Sequence, residues 1–294
     1  MSDPAPLRGV MPLVPTPFDE SDRIDESSLR SLIEHYVSAG VHGLTLLGVA
    51  SEVLKLDDAE CREVVEIAID QAAGRVPIVV GTGYPGTQVA IRRSEWAQSA
   101  GAVGVLVLPP YAGQRPGAEA LFDYFGAIAR SVSIPVVVLD EPSSTLVELP
   151  TTLLVRLAAE AGIRHVKVEA LPTVRKMAEL RAHGIDVLSG TGGLYFLEEL
   201  EAGSVGAMTG FSFIEVLMDV FNAWVSGDRD TSARIFNRYL PVLCYEMQPV
   251  INLPLRKQIL QWRGIISTAR LRAPADGLDG VRRASIAWKI SSSW

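Results

Sequence analysis

Short apolar runs alternate with longer amphipathic segments along most of this chain. The apolar runs are rich in β-branched residues and predict strands at 10–14, 44–47, 77–81, 103–108, 135–139, 165–168, 186–189 and 205–209. The amphipathic segments predict helices at 27–39, 57–73, 87–99, 118–131, 151–161, 173–183, 195–201 and 214–224. Near-continuous apolar strands joined through helices are typical of a parallel sheet that is covered on both faces.

Eight strand–helix units within roughly 225 residues predict an α/β fold of the closed (β/α)8 TIM-barrel type. An open dinucleotide-binding sheet would instead place a glycine-rich turn directly after the first strand. This chain places Pro15-Thr16-Pro17-Phe18 there, which argues against that alternative. From about residue 227 the pattern is purely helical, at 230–245 and from 255 onward. We therefore predict a barrel at 1–226 that carries the active site and a helical extension at 227–294 that packs on it.

Charge and composition narrow the range of partners. The net charge is −7 and no block of lysine and arginine occurs, which argues against nucleic acid and anionic membranes. We find no basic segment followed by an apolar stretch near the start and no apolar run long enough to span a bilayer, so a cytoplasmic location is expected. Cys61 and Cys244 lie far apart, and no His, Asp and Glu grouping has metal-ligand spacing. We expect no metal and no bound cofactor.

The predicted strand at 165–168 carries a lysine in its middle. Because side chains alternate along a strand, Lys167 shares one face with Glu169 while the neighbouring valines lie on the other. A lysine in apolar surroundings is costly unless it is paired or its pKa is lowered. A lysine with a lowered pKa is a nucleophile that can form a Schiff base with a carbonyl substrate.

Position in the barrel favours this catalytic interpretation over a half-solvated strand face. Active sites of such barrels lie at the C-terminal ends of the strands. Among the residues at those predicted ends, Lys167 supplies the one nucleophilic amine.

Short motifs also occur in a fixed order along nearly the whole chain. They are TPF at 16–18, GVHGLTLLG at 40–48, GTG at 81–83, LPPY at 108–111, VKVE at 166–169, VLSG at 187–190 and GSVGAMTG at 203–210. In order and spacing they resemble the dihydrodipicolinate synthase and N-acetylneuraminate lyase family. The resemblance implies that Lys167 is the lysine that condenses with the keto carbon of pyruvate or a longer 2-oxo acid. It also implies that Gly190 and Thr209 line the floor of the pocket.

The first departure from the family follows the second predicted strand. The family usually carries Gly-Thr-Thr-Gly-Glu here, and its two threonines hold the pyruvate carboxylate. This chain reads Gly48, Val49, Ala50, Ser51 and Glu52. Both threonine hydroxyls are missing, but the backbone N–H groups of Val49 and Ala50 could bind a carboxylate, and Ser51 offers a hydroxyl beside them. We therefore predict substrate contacts from residues 48–51.

The second departure removes an acid–base group. The fifth strand of the family ends with a tyrosine that shuttles protons, and Leu139 stands in its place. Positioned acid–base groups contribute about 10²–10⁴ in rate, so catalysis needs a substitute. Asp140 and Glu141 are the nearest candidates, followed by Glu169 and Tyr111. A solvated turn is the alternative interpretation of Asp140 and Glu141.

Two further positions bear on assembly and reaction. Tyr111 matches a family tyrosine that reaches across a subunit contact, and the family is usually tetrameric, so the resemblance implies a homo-oligomer, either a tetramer or a dimer. Ser144 stands where dihydrodipicolinate synthase has an arginine for its second substrate. These differences argue against a standard dihydrodipicolinate synthase and a standard sialic acid lyase.

The resulting prediction is a lyase, an aldolase or dehydratase, that forms a Schiff base between Lys167 and a small-molecule 2-oxo acid or related carbonyl compound. The changed loop at 48–51 favours a substrate that is bulkier or more apolar near C1 than pyruvate. The alternative is a carbonyl-binding protein or pseudoenzyme of the same fold, since the residues of the proton relay are mostly replaced. The two differ in whether product appears after an adduct forms on Lys167.

Overall fold

The computed structural model describes residues 7–111 and 115–293. Its strands are β1 (Gly9–Val10), β2 (Leu44–Leu46), β3 (Ile78–Gly81), β4 (Gly104–Val107), β5 (Val136–Asp140), β6 (His165–Val168), β7 (Asp186–Ser189) and β8 (Gly206–Ala207). Its α-helices are α1 (Glu26–Ser38), α2 (Asp58–Ala72), α3 (Thr87–Ala100), α4 (Ala118–Ser131), α5 (Pro142–Thr145), α6 (Thr151–Glu160), α7 (Thr173–Ala182), α8 (Phe196–Glu201), α9 (Ile214–Val225), α10 (Arg229–Glu246), α11 (Asn252–Trp262) and α12 (Gly280–Ser293). Every predicted strand and helix of the barrel is present.

The eight strands form one parallel sheet in the order β1-β8-β7-β6-β5-β4-β3-β2. The sheet closes between its edge strands, where Leu13 pairs with Thr45 as a parallel bridge. The Thr45 amide donates to the carbonyl of Pro12 at 2.8 Å, and the Val14 amide donates to the carbonyl of Thr45 at 2.9 Å. The (β/α)8 barrel predicted from the alternating pattern is therefore confirmed.

Alternation along each strand separates two apolar cores. Inward-facing side chains such as Leu106, Val137 and Leu188 fill the barrel interior. Their neighbours, such as Val136 and Val138, pack into the larger layer between barrel and helices. Because both faces of every strand are buried, the strands read as nearly unbroken apolar runs.

Local signals in the sequence account for the helix ends. Asp57 begins α2 by accepting a hydrogen bond from the amide of Glu60 at 2.8 Å, and the Glu60 side chain accepts one from the amide of Asp57. Gly101 ends α3 in the left-handed conformation, at φ +107°, which glycine adopts without strain. Within residues 7–111 and 115–293, no helix is both long and apolar enough to cross a membrane.

The prediction of continuous helix from residue 255 onward is wrong for residues 263–279. This stretch lies between α11 and α12 and is held by side chains rather than by helical hydrogen bonds. Arg272 pairs with Glu60 at 2.6 Å and donates to the carbonyl of Asp22 at 2.6 Å. Arg270 pairs with Asp22 at 2.6 Å. These contacts hold the stretch on the loops at the top of the barrel, where residues 271 and 274–276 help to form the cavity described next.

Candidate active site

A cavity of about 1050 Å³ opens at the carboxyl ends of the strands. Its inner wall consists of residues from strand ends: Leu13, Gly48, Val49, Ala50, Leu106, Leu139, Glu141, Lys167, Glu169 and Thr209. Its outer wall comes from connecting loops and from the C-terminal segment around α11. Of the predicted site residues, the cavity brings together Lys167, Glu141, Glu169, Thr209 and those at 48–50.

Lys167 lies on β6 and points into the barrel. It pairs in register with Leu139 of β5 and Leu188 of β7, two residues of the inner core. The residue is 4% exposed, and its Nζ lies 2.7 Å from Oε1 of Glu169. The paired carboxylate therefore offsets the free-energy cost of burying this ammonium group. The sequence left open whether Lys167 is paired or has a lowered pKa, and the structure shows that it is paired.

Glu141 is the second carboxylate at the cavity wall. It follows β5 and caps α5, where its carboxylate accepts hydrogen bonds from the Ser144 amide at 3.1 Å and from the hydroxyls of Ser143 and Ser144. Burial raises the pKa of Glu141 above its ordinary value, and the negative charge of Glu169 acts in the same direction. The hydrogen bonds from Ser144 oppose the rise. A carboxyl group with a raised pKa that shares a cavity with an amine is suited to hold a proton for transfer.

The prediction that Asp140 acts in proton transfer is wrong for this arrangement. Asp140 is the last residue of β5 and points outward, away from Lys167, because strand parity turns it opposite to Leu139. It is fully buried, and its Oδ2 pairs with Nζ of Lys176 on α7 at 2.6 Å. Both residues line a separate outer cavity of about 510 Å³. Asp140 therefore joins β5 to the helix layer.

The loop at 48–51 lines the cavity with backbone atoms and apolar side chains only. Gly48, Val49 and Ala50 line the wall, as predicted. Ser51 does not, because it is fully buried and its hydroxyl donates to the carbonyl of Val14 at 2.6 Å. The prediction of a substrate contact from the Ser51 hydroxyl is therefore wrong. The remaining polar atoms of this wall are backbone N–H groups at the start of a short 3₁₀ turn.

Gly190 serves the site by making room for Glu169. It is not among the residues that line the cavity, contrary to the prediction. A Cβ atom at this position would overlap Cγ, Cδ and Oε1 of Glu169. Glycine is therefore required where β7 ends, so that the Glu169 carboxylate can lie beside Lys167.

Tyr111 is not among the described residues that line the cavity of Lys167. It is half-buried, and burial raises its pKa, as does the neighbouring Tyr84. Tyr84 and Arg93, its nearby titratable residues, line another cavity of about 270 Å³ between α2 and α3. A role for Tyr111 in the site of a neighbouring subunit stays a prediction.

The sequence interpretation missed the residues that brace the outer wall. Arg256 of α11 is buried and pairs with Glu246 at 3.0 Å, and it also donates to the carbonyl of Gly210 at 2.5 Å. Lys257 pairs with Glu52 at 2.6 Å beneath the loop at 48–51. Burial lowers the pKa of Lys257 to about 8. The motif LRK at 255–257 resembles the family's, but it does not reveal the partners of Arg256 and Lys257, because Glu246 and Glu52 meet them only after α11 packs on the barrel.

A further buried carboxylate, Glu199 of α8, was also missed. It is fully buried, and Oε1 accepts a hydrogen bond from the Thr173 hydroxyl at 2.6 Å. Burial, supported by the negative charge of Glu169, raises the pKa of Glu199 to about 7. Its position on a short, polar helix gave no signal that it faces the sheet.

We expect Glu199→Gln to be more stable than the wild type at pH 8. The pKa of Glu199 lies above its ordinary value of 4.5 in the folded protein, so folding binds a proton and stability falls as pH rises toward 7. Glutamine stays neutral, so the variant should gain up to about 3 kcal/mol in free energy of unfolding at pH 8 and almost none at pH 4.5. Urea unfolding at both pH values measures this. An equal pH dependence in the two proteins would contradict it.

Among residues 7–111 and 115–293, no group of three or more His, Cys, Asp or Glu side chains is placed to hold a metal ion.

Fold and site together define the class of protein: a (β/α)8 barrel with a buried lysine and two carboxylates at the mouth formed by the strand ends. Comparison with known proteins then identifies the family. A model of the dihydrodipicolinate synthetase family matches residues 6–292. The chain belongs to this family.

Relatives within the family carry more than one name. The chain is 30% identical over 287 residues to an L-2-keto-3-deoxyarabonate dehydratase of Azospirillum brasilense, covering 95% of this chain and 92% of the relative. It is 33% identical over 273 residues to a 4-hydroxy-tetrahydrodipicolinate synthase of Syntrophobacter fumaroxidans, covering 91% and 92%. The crystal structure of dihydrodipicolinate synthase from Rhodopseudomonas palustris superposes with a TM-score of 0.90, at 30% identity and 97% coverage of both chains.

A further solved structure in the comparison contains a ligand. A prophage protein of the dihydrodipicolinic acid synthase family from E. coli K12, solved in complex with pyruvate, superposes with a TM-score of 0.91. It is 27% identical and covers 98% of this chain and 99% of that chain.

Proposed function

We propose that the protein is a Schiff-base-forming lyase that acts on a 2-oxo acid through Lys167. The observation that carries the proposal is the pair formed by Lys167 and Glu169, 2.7 Å apart in the barrel mouth. Glu169 accepts the proton that the ammonium group must lose before its nitrogen attacks the C2 carbonyl. Glu169 returns this proton to the hydroxyl of the resulting carbinolamine, which leaves as water, so Glu169 is again a carboxylate. The iminium that remains withdraws electrons from the bonds of the substrate carbon chain.

Two carboxylates with different surroundings can divide the acid and base roles. Glu169 takes a proton from C3 of the iminium, which gives an enamine. Glu141, whose pKa burial raises, donates a proton to the leaving C4 hydroxyl, so that water departs and a C–O bond is broken. Cleavage of the C3–C4 bond with release of an aldehyde would use the same two groups in another order. The dehydratase name of one relative favours loss of water.

Leu139 supports the proposal that this is not a standard dihydrodipicolinate synthase. It faces the cavity beside Lys167, where the resemblance implies a proton-shuttling tyrosine. Its apolar side chain also favours the second candidate, a protein that binds a carbonyl ligand without turnover. A tetramer or dimer in the cytoplasm stays part of the proposal on the strength of the family resemblance.

Borohydride trapping tests the proposed function. Incubation with pyruvate and a panel of 2-oxo acids and aldehydes, followed by reduction, is expected to add the mass of the reduced ligand at Lys167, read by intact mass and peptide mapping. The other lysine of the cavity, Lys55, stays unmodified in the same sample and serves as an internal control. No adduct with any member of the panel on folded protein would overturn the proposal. An adduct with no product from any panel member would favour the binding protein.

A further inference from the structure

The cavity changes character with depth. Its charged groups, Lys167, Glu141 and Glu169, lie at the strand ends. The wall above them is formed mostly by apolar residues from the loops and from the start of α11: Leu171, Leu194, Met247, Pro249, Val250, Leu253, Pro254, Leu271 and Pro274. At about 1050 Å³ the cavity is at the upper end of the size that holds drug-sized ligands. A three-carbon acid condensed with Lys167 would leave this upper part empty.

Two of these apolar side chains remain largely exposed to solvent in the folded chain. Leu171 is 63% exposed and Val250 is 66% exposed. Val250 also has a φ of +73°, in the left-handed region that a β-branched residue rarely adopts. Exposed apolar side chains that share one concave site mark a surface that an apolar ligand covers.

Several polar groups of the same wall already have partners in the protein. The Nζ of Lys55 donates to Glu52 at 3.0 Å and to the carbonyl of Arg272 at 2.6 Å. Arg256 is held by Glu246 and Gly210, as described above. The cavity is also lined by Thr191, Tyr195, Asn252 and Asp276, and the Thr191 hydroxyl has no hydrogen-bond partner among the described residues. Lys55 and Arg256 are occupied, so neither cation is free to bind the hydroxyls of a hydroxylated carbon chain, which disfavours its binding.

We infer that the substrate is a 2-oxo acid whose carbon chain ends in an apolar alkyl or aryl group. The inference rests on the proposed Schiff base at Lys167, which fixes C2 at the bottom of the cavity. The groups beyond C4 then extend toward the upper wall, to which Leu171 and Val250 both belong. This substrate class differs from the hydroxylated sugar acid in the name of the Azospirillum brasilense relative.

Half-saturation concentrations for borohydride trapping test the inference directly. We compare 2-oxopentanoate with 4,5-dihydroxy-2-oxopentanoate, which share a carbon skeleton and differ only in two hydroxyls, and add 2-oxo-4-phenylbutanoate as a larger apolar probe. The phenyl compound should half-saturate at a concentration at least tenfold lower than the dihydroxy compound, because it buries apolar surface against the upper wall. 2-Oxopentanoate should lie between the two.

Variants of Leu171 and Val250 test whether these two side chains cause the preference for the apolar compound. The ratio of interest is the half-saturation concentration of the dihydroxy compound divided by that of the phenyl compound. Leu171→Asn and Val250→Asn should each lower this ratio by threefold or more. Neither change removes a buried side chain, and asparagine tolerates the positive φ of residue 250. Val225→Asn, at an exposed position at the end of α9 and outside the cavity, is the matched control and should leave the ratio unchanged.

The outcomes separate this inference from the proposed function. Equal or tighter trapping of the dihydroxy compound, or an unchanged ratio in both cavity variants, would overturn the apolar substrate while leaving the Schiff base intact. Failure of every 2-oxo acid, pyruvate included, to form an adduct would overturn both. A preference for the phenyl compound that both cavity variants reduce supports the inference.

Discussion

Replacing Lys167 by alanine is expected to abolish both turnover and adduct formation while the protein stays folded. The substitution removes the one amine that the cavity holds at the strand ends, so neither carbinolamine nor iminium can form. Loss of turnover should reach the detection limit, since no other described group at the strand ends can take over covalent catalysis. Intact mass after borohydride reduction and product analysis measure the two effects in parallel. Residual turnover near that of the wild type would contradict the Schiff-base mechanism.

Two further variants show that the loss is chemical and not a failure to fold. Lys167→Met keeps most of the side-chain volume and should lose the adduct in the same way. The double variant Asp140→Asn, Lys176→Met removes a buried carboxylate–lysine pair whose atoms lie 2.6 Å apart on the outer face of the sheet. Because both partners are replaced together, neither charge is left buried alone. This double variant should still form the adduct on Lys167.

The strongest signal in the sequence is the alternation of side chains between the two faces of a strand, here called strand parity. It indicates which residues face the site as well as the fold. The alternation that places Lys167 inward on β6 also places Leu139 inward on β5 and turns Asp140 outward. Glu141, one residue later, faces the cavity again. Strand parity therefore distinguishes Glu141, which faces the cavity, from Asp140, which does not. Both lie near the end of β5, so position along the chain alone could not distinguish them.

Other parts of the site could not be read from local patterns. The ion pair between Lys257 and Glu52 joins residues more than 200 positions apart, and no periodicity predicts which partners meet. The stretch 263–279 has apolar and charged residues that fit a helix, but it is held by Arg270 and Arg272 on distant loops. Ser51 was misjudged for a related reason, because its hydroxyl has a backbone partner that only the folded loop brings near. Tertiary contacts decided each of these positions.

Glu169→Gln is expected to lower turnover by about 10²–10⁴-fold while the adduct can still be trapped at saturating ligand. Glutamine keeps the shape of the side chain in the space beside Gly190, and it can accept a hydrogen bond from Lys167, but it cannot take the proton from the lysine or from C3 of the iminium. Adduct formation should therefore become slower without being lost, and the later proton transfer should limit the rate. Single-turnover trapping and steady-state product formation separate these steps.

The matched control for this variant is the double variant Asp140→Asn, Lys176→Met, which removes a buried carboxylate at the end of the neighbouring strand, outside the cavity, together with its lysine partner. We expect its turnover to stay within about threefold of the wild type, the change that a difference of less than 1 kcal/mol in activation free energy produces. If Glu169→Gln also stayed within that range, the base would have to be Glu141, which the strand parity of β5 brings to the same cavity. A large loss in Glu169→Gln with retained adduct assigns the proton transfer to the carboxylate beside Lys167, and the tyrosine that Leu139 replaces is then not required.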